Sequence, residues 1–140
     1  MERTTAGVAD HLNSLEGQRG EDMRLLDRSI SEQLKGLPRF LYEGTFWGGS
    51  DQQIVGYGVM DYVNRSGEKV EWFLVGLAAQ KNYISIYVNA VEDGAYLLDA
   101  YKDRLGKVKA GSASIRFGGV ADLEFETLMD LIARAGQGAR

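Results

Sequence analysis

Three extended segments joined by connections too short for a crossover occupy the middle of this chain. Ile54–Val63 runs into Asn64-Arg65-Ser66-Gly67, Lys69–Leu77 returns, Gln80-Lys81-Asn82 turns the chain again, and Tyr83–Val88 follows. A parallel pair needs a connection of about a dozen residues or more, so these segments pair antiparallel, as a meander. Phe40–Trp47 reads as a further strand ahead of them. Along 54–63, Ile54, Gly56, Gly58, Met60 and Tyr62 share one face, and Val55, Tyr57, Val59, Asp61 and Val63 share the other. Both faces are fairly apolar, which places this strand inside the sheet. Gly48, Gly49, Gly56, Gly58 and Gly76 are more glycine than ordinary strands carry. Glycine weakens a strand unless the strand bends, bulges or admits a close neighbour.

Helical periodicity flanks the meander. Val8, Leu12 and Leu15 recur at helical spacing after Thr4-Thr5, which can cap, and Gly17 closes the segment. A second helix spans about Gln18–Lys35. Met23, Leu26, Ile30 and Leu34 form its apolar stripe, and Arg24, Asp27, Arg28, Ser31 and Glu32 face away. Gly36 and Pro38 stop it. Beyond the meander, Asp93–Leu105 reads as helix with Leu97, Leu98, Tyr101 and Leu105 inward. Ser112–Phe117 reads as a strand. A last helix opens at Asp122 as N-cap, buries Phe125, Leu128, Leu131 and Ile132, and ends at Gly136. The expected fold is α+β: an antiparallel meander with helices packed mainly on one face. It forms one domain over 1–140, with an N-terminal helical pair at 4–36 and a loose tail at 137–140.

Composition removes several function classes. The chain has no cysteine, which excludes disulfide scaffolds, thiolate metal sites and cysteine nucleophiles. It fits a reducing cytoplasm. The single histidine, His11, reads as an exposed helix residue, and a site with several histidines is impossible. No apolar run reaches the roughly 20 residues of a membrane span. The N-terminus has neither the basic start nor the apolar core of a secretory signal. Twenty acids against sixteen bases, with a pI near 5.0, argue against a general nucleic-acid surface. One stretch runs the other way: Lys102, Arg104, Lys107, Lys109 and Arg116 accompany only Asp103. The Gly56-Tyr57-Gly58 triplet lacks the context of a phosphate loop.

Candidate chemistry falls into three classes. A small-molecule cleft could form from Trp47, Tyr57, Tyr62, Trp72, Tyr83 and Tyr87 on or beside the sheet, with Lys81 or Lys107 anchoring an anion. An enzyme could use Asp61, Glu71 or Glu43 as acid or base, but nothing pairs them with a nucleophile or metal. An interaction module could use an exposed sheet face or the Phe40–Trp47 edge, for a partner or a second copy.

The order of four blocks resembles a known bacterial family. IVGYGVMDYVNRSGEKVEW (54–72), VGLAAQKNYISIYV (75–88), LGKVKAG (105–111) and VADLEFETLMDLI (120–132) follow the landmarks of the DUF 1801 (YdhG-like) family, and the two early helices suit its N-terminal pair. The resemblance implies an α+β domain often compared with frataxin. Most members have no assigned activity, and one branch is described as an intracellular iron chaperone. This chain departs from close relatives in carrying Ser114 in place of a cysteine and Gly118-Gly119 in place of a Lys-Arg pair. Iron, as the resemblance implies it, would fall to carboxylates: Asp122, Glu124, Glu126 and Asp130 in the last helix, or Glu16, Glu21 and Asp22 at the first helix junction. Against this, Asp122 and Glu124 can serve the helix N-terminus, and Arg134 can pair with Asp130. The resulting expectation is a cytoplasmic, non-enzymatic binding protein with weak iron carriage. The alternatives are a small-molecule aromatic cleft or a homodimeric interaction module.

Overall fold

The computed structural model describes residues 2–4, 7–46, 50–63 and 65–138. Trp47, Gly48 and Gly49 lie outside the described residues, as does the Tyr62 side chain. The chain runs β1 (Glu2–Thr4), α1 (Val8–Ser14), α2 (Gly17–Gln33), β2 (Arg39–Phe46), β3 (Ser50–Tyr57), β4 (Met60–Val63), β5 (Lys69–Trp72), β6 (Val75–Ala79), β7 (Ile84–Val88), β8 (Val91–Glu92), β9 (Ala95–Tyr96), β10 (Lys109–Ala110), β11 (Ser114–Phe117) and α3 (Phe125–Gln137). The main sheet has seven strands in the order β1-β2-β3-β6-β7-β11-β10, and every pair in it is antiparallel. The fold is α+β, and β3 lies inside the sheet as its two apolar faces require.

Two segments read as continuous strands are each broken. The Ile54–Val63 segment leaves the sheet at Gly58, which adopts φ 73°, a left-handed conformation open to glycine. The Gly58 N–H donates to the Pro38 carbonyl at 2.7 Å, and the Leu74 N–H donates to the Tyr57 carbonyl at 3.1 Å. The Lys69–Leu77 segment breaks at the same level, at Phe73-Leu74. The pieces beyond the break pair with each other as a separate hairpin, β4–β5, with Met60 opposite Trp72 and Val63 opposite Lys69.

The expected helix at 93–105 is instead a small hairpin, β8–β9, followed by 3₁₀ turns at Leu97–Ala100 and Lys102–Arg104. Asp93 (φ 54°) and Gly94 (φ 81°) are both left-handed, the geometry that an Asp-Gly pair supplies to a two-residue hairpin loop. Leu97, Leu98, Tyr101 and Leu105 are nonetheless buried, so the inward positions were read correctly and the periodicity was not. Residues 2–4 pair with β2 as β1, so Thr4 does not cap α1; Gly7 precedes that helix with no side-chain cap. Asp122 is not the N-cap of the last helix. A 3₁₀ turn at Val120–Asp122 comes first, and α3 begins at Phe125. Gly136 does not end α3. It is buried inside it, and a side chain there would fall 2.6 Å from Leu34 at the end of α2.

The helices cover one face of the sheet. Leu41, Val55, Val75, Leu77, Ile84, Ile86, Ile115 and Phe117 point to this face and pack with Met23, Leu26 and Ile30 of α2 and Leu128, Leu131 and Ile132 of α3. A fully buried side chain of this kind contributes about 1.5–3 kcal/mol, so this layer is the main source of stability. Asp27, expected on the outer face of α2, is buried in it. Its carboxylate accepts from the Arg39 guanidinium at 2.6 and 2.8 Å and from the Tyr57 hydroxyl at 2.6 Å. The contact ties α2 to β2 and β3, and burial with Asp27 beside it pushes the Tyr57 phenol well above its ordinary range.

On the opposite face Phe73 and Trp72, at the base of the β4–β5 hairpin, pack with Tyr42, Ile54 and Ala78. Gly56 and Gly76 sit directly opposite one another on β3 and β6. A side chain at Gly76 would meet the Phe73 ring at 2.5 Å, and one at Gly56 would meet the Tyr42 ring at 2.4 Å. The glycine pair is a flat seat for Phe73, whose ring lies 5.3 Å from Tyr42, 4.5 Å from Trp72 and 6.0 Å from Tyr87.

Candidate functional site

Further along this same face lie the outward positions of β7, β11 and β10. Strand alternation sends Ile84, Ile86, Ile115 and Phe117 into the core and puts Ser85, Tyr87, Ser114 and Arg116 on the other face, where Ser85 is itself buried beside Tyr87. Register places Arg116 opposite Ser85 on one side and opposite Lys109 on the other. The Arg116 guanidinium lies over the Tyr83 ring, 5.3 Å from its centre. That stacking holds the cation at the sheet surface.

Lys107 joins this group through its backbone. Its N–H donates to the Asp122 carbonyl at 2.8 Å, while the Glu124 N–H donates to the Leu105 carbonyl at 2.9 Å. The segment before β10 is thereby pinned to the loop that enters α3. Gly106 sits at φ 97°, and a side chain there would strike the Asp122 carbonyl at 2.3 Å, so the close approach depends on glycine.

The result is a groove of about 600 Å³ bordered by Tyr83, Asn82, Lys107, Lys109, Arg116 and Gly118. None of its lining residues is acidic. Among the described residues no carboxylate forms an ion pair with Lys107, Lys109 or Arg116. Like charges directly opposite on paired strands are unfavourable. Lys109 and Arg116 therefore hold a cost that a bound anion would remove, in a protein whose net charge is −4.

Of the residues proposed for an aromatic cleft, Trp47 and the Tyr62 side chain lie outside the described residues, and the others divide between the two faces of the sheet and its turns. Tyr57 points to the helix-covered core and bonds Asp27. Trp72 stacks on Tyr42 and Phe73 as part of the protein's own packing. Tyr87 is half-buried beside Phe73 and borders the open end; burial raises its phenol above the ordinary value. Lys81 is exposed in the β6–β7 turn, where its carbonyl accepts from Arg19 at 2.9 Å. Among the described residues of that set, Tyr83, Tyr87 and Lys107 border the groove or the hollow adjoining it. Asp61, Glu43 and Glu71 are exposed rather than buried, and Asp61 pairs with Lys69 at 3.5 Å. His11 is half-buried rather than exposed; its Nε2 atom is shielded from solvent, and burial lowers its pKa while Glu43 opposes that shift.

Among the described residues no three His, Asp or Glu side chains gather to hold a metal ion. Glu124, Glu126 and Asp130 are exposed, and Asp122 is half-buried beside Gly118. Asp22 is buried; it accepts from Gln18 at 2.9 Å and from the Val120 N–H at 3.1 Å, so it caps the 3₁₀ turn leading to α3 from across the molecule. Arg134 pairs with Glu92 of the β8–β9 hairpin instead of Asp130.

Sequence reading registered Lys109 and Arg116 only as members of a basic run and missed Asn82, Ser85 and Ser114. The usable signal was that run of five cations with one acid, folded back on itself by the Gly111 turn. No helix among the described residues is long and apolar enough to cross a membrane. No family model, curated protein or solved structure significantly matches the chain.

Proposed function

We propose that this protein is a non-enzymatic binding module for a small anionic molecule, taken up at Lys107, Lys109 and Arg116. The observation that supports this most is the pairing of two cations across β10 and β11, with a third beside them and no acid in the groove wall. Phosphate or carboxylate would accept hydrogen bonds from all three groups, with Arg116 offering a planar fork. The reading keeps the small-molecule alternative from the sequence, relocated from the aromatic cleft to the basic end of the sheet. Membership of the DUF 1801 (YdhG-like) family and a cytoplasmic setting belong to the same proposal, resting on the order of the sequence blocks and on the absence of cysteine. Weak iron carriage is not carried forward, because no three of the carboxylates invoked for it gather among the described residues and Asp22 is committed to Gln18 and the Val120 N–H.

The test is calorimetric titration of the protein with inorganic phosphate at low salt. Saturable binding is expected, weakening as ionic strength rises. The Lys107→Ala, Lys109→Ala double variant loses at least tenfold in affinity, while Lys69→Ala on the distant hairpin changes nothing. Equal binding by the double variant, or none by the parent protein, overturns the proposal.

A further inference from the structure

The three cations of the groove do not form one cluster. Lys109 and Arg116 face each other across β10 and β11, so a single anionic group can bridge their side chains. They stand where the groove meets a smaller hollow of about 320 Å³, and both border the two spaces. Lys107 borders the groove alone. It comes two residues before Lys109, so the two Cα atoms are at most about 7 Å apart. The bond from its N–H to the Asp122 carbonyl starts its side chain beside the loop that enters α3. The groove therefore has a doubly charged centre at β10 and β11 and a singly charged one toward α3. Asn82, exposed on the same wall, adds amide donors. In the hollow, Ser85 is buried and Tyr87 is hydrogen-bonded with Ser85 and Gln80, so the groove is the better seat for a polar ligand.

We infer that the ligand is a diphosphate, with one phosphoryl group bridging Lys109 and Arg116 and the other at Lys107. This assignment rests on the anion-binding reading and names its ligand class. Charge favours two phosphoryl groups over one. A phosphate carries about 1.5–2 negative charges near neutral pH, which leaves one of three cations uncompensated. Two linked phosphoryl groups bring about three charges and match the set. No acid in the groove wall competes for the cations. Size agrees. The groove, at about 600 Å³, lies within the range of about 300–1,000 Å³ typical of small-molecule sites, far more than a lone inorganic ion fills. A dicarboxylate would span two centres but bring only two charges, with fewer oxygens for Lys and Arg to share.

The experiment is parallel calorimetry of the intact protein at one low salt concentration with inorganic phosphate, inorganic diphosphate and succinate. Diphosphate is expected to bind at least tenfold more tightly than either of the others. Lys107→Ala should lower diphosphate affinity more than phosphate affinity and bring the two within about threefold of each other. Lys102→Ala is the control. Lys102 belongs to the same basic run but pairs with Asp99 at 3.4 Å and lies outside the groove, so both affinities should be unchanged. Diphosphate no tighter than phosphate, or succinate as tight as diphosphate, overturns the diphosphate assignment and leaves anion binding standing. Lys102→Ala as damaging as Lys107→Ala also overturns it, because binding would then follow overall charge and not two placed centres. No binding of phosphate or of diphosphate overturns both readings.

Discussion

The outer face of the sheet is closed by the chain itself at one end and open at the other, although one sheet runs through both. At the β2–β3–β6 end, Gly56 and Gly76 leave a flat area, and Phe73 settles on it between Tyr42 and Trp72. At the β7–β11–β10 end the outward positions are Ser85, which is buried, and Ser114, Arg116 and Lys109, which border the groove or its adjoining hollow. The difference lies in what the outward positions can satisfy alone. A glycine pair exposes Cα–H surface between peptide groups held in the sheet, and that surface gains by being covered. Hydroxyls and cations are satisfied by water or by a polar ligand, and covering them with an aromatic ring would cost their hydration. The closed end therefore contributes stability, and the open end is free to contribute binding.

That contrast can be broken most forcefully at Phe73. Phe73→Ala should destabilise the fold by about 3–5 kcal/mol, read as a lowered denaturation midpoint, because a fully buried ring leaves a cavity. Gly76→Ala should itself cost about 1–3 kcal/mol by overpacking, and the penalty should nearly vanish in the Phe73→Ala background. Additive effects in that cycle would mean that the glycine seat is not what holds Phe73.

A smaller loss is expected on the helix-covered face. Asp27→Ala strips the buried Tyr57 hydroxyl and Arg39 of their shared acceptor, and should cost about 2–3 kcal/mol in urea unfolding, Arg39 being partly screened by solvent. Phosphate binding should be unaffected, since neither residue borders the groove.

At the open end the signs reverse. Lys109→Glu replaces a like-charge cross-strand pair with an opposite pair, so stability should rise by about 0.2–1 kcal/mol while phosphate binding is lost. A fall in both would mark Lys109 as a packing residue and remove the distinction between the two ends.

The smallest effect concerns His11, whose folded pKa lies below the ordinary 6.5 chiefly because of burial. Above that value the folded and unfolded states are both neutral, and the residue leaves stability unchanged. As pH falls through 6.5 the unfolded state takes the proton first, so stability declines. Melting temperature should drop slightly between pH 7 and pH 5.5 in the parent protein, and that step should be absent in His11→Leu.

The legibility of the chain follows the same physical division. The Met23, Leu26, Ile30 stripe, the inward set Leu97, Leu98, Tyr101 and Leu105, and the alternation of Ile115 and Phe117 with Arg116 were readable because periodic burial is written in adjacent residues. The surplus of strand glycine was readable as a demand for close approach. That the approaching group is Phe73 was not, since a glycine specifies space and not its occupant. The Asp93-Gly94 hairpin was signalled in the sequence and outweighed there by an apolar spacing that two 3₁₀ turns satisfy equally well. The long strands at 54–63 and 69–77 break where Gly58 and Leu74 find partners on Pro38 and Tyr57, contacts fixed by packing.

By itself, then, the sequence determined the antiparallel meander, the helical layer and the absence of thiol chemistry, because short connections, apolar periodicity and composition act locally along the chain. Only the tertiary structure decided that Asp27 and Asp22 are buried acceptors, that the aromatics pack on their own glycine seat, and that Lys107, Lys109 and Arg116 meet in one groove. Those outcomes depend on which strands become neighbours and in which register. Cross-strand pairing joins residues far apart in the chain, and no local pattern encodes that distance.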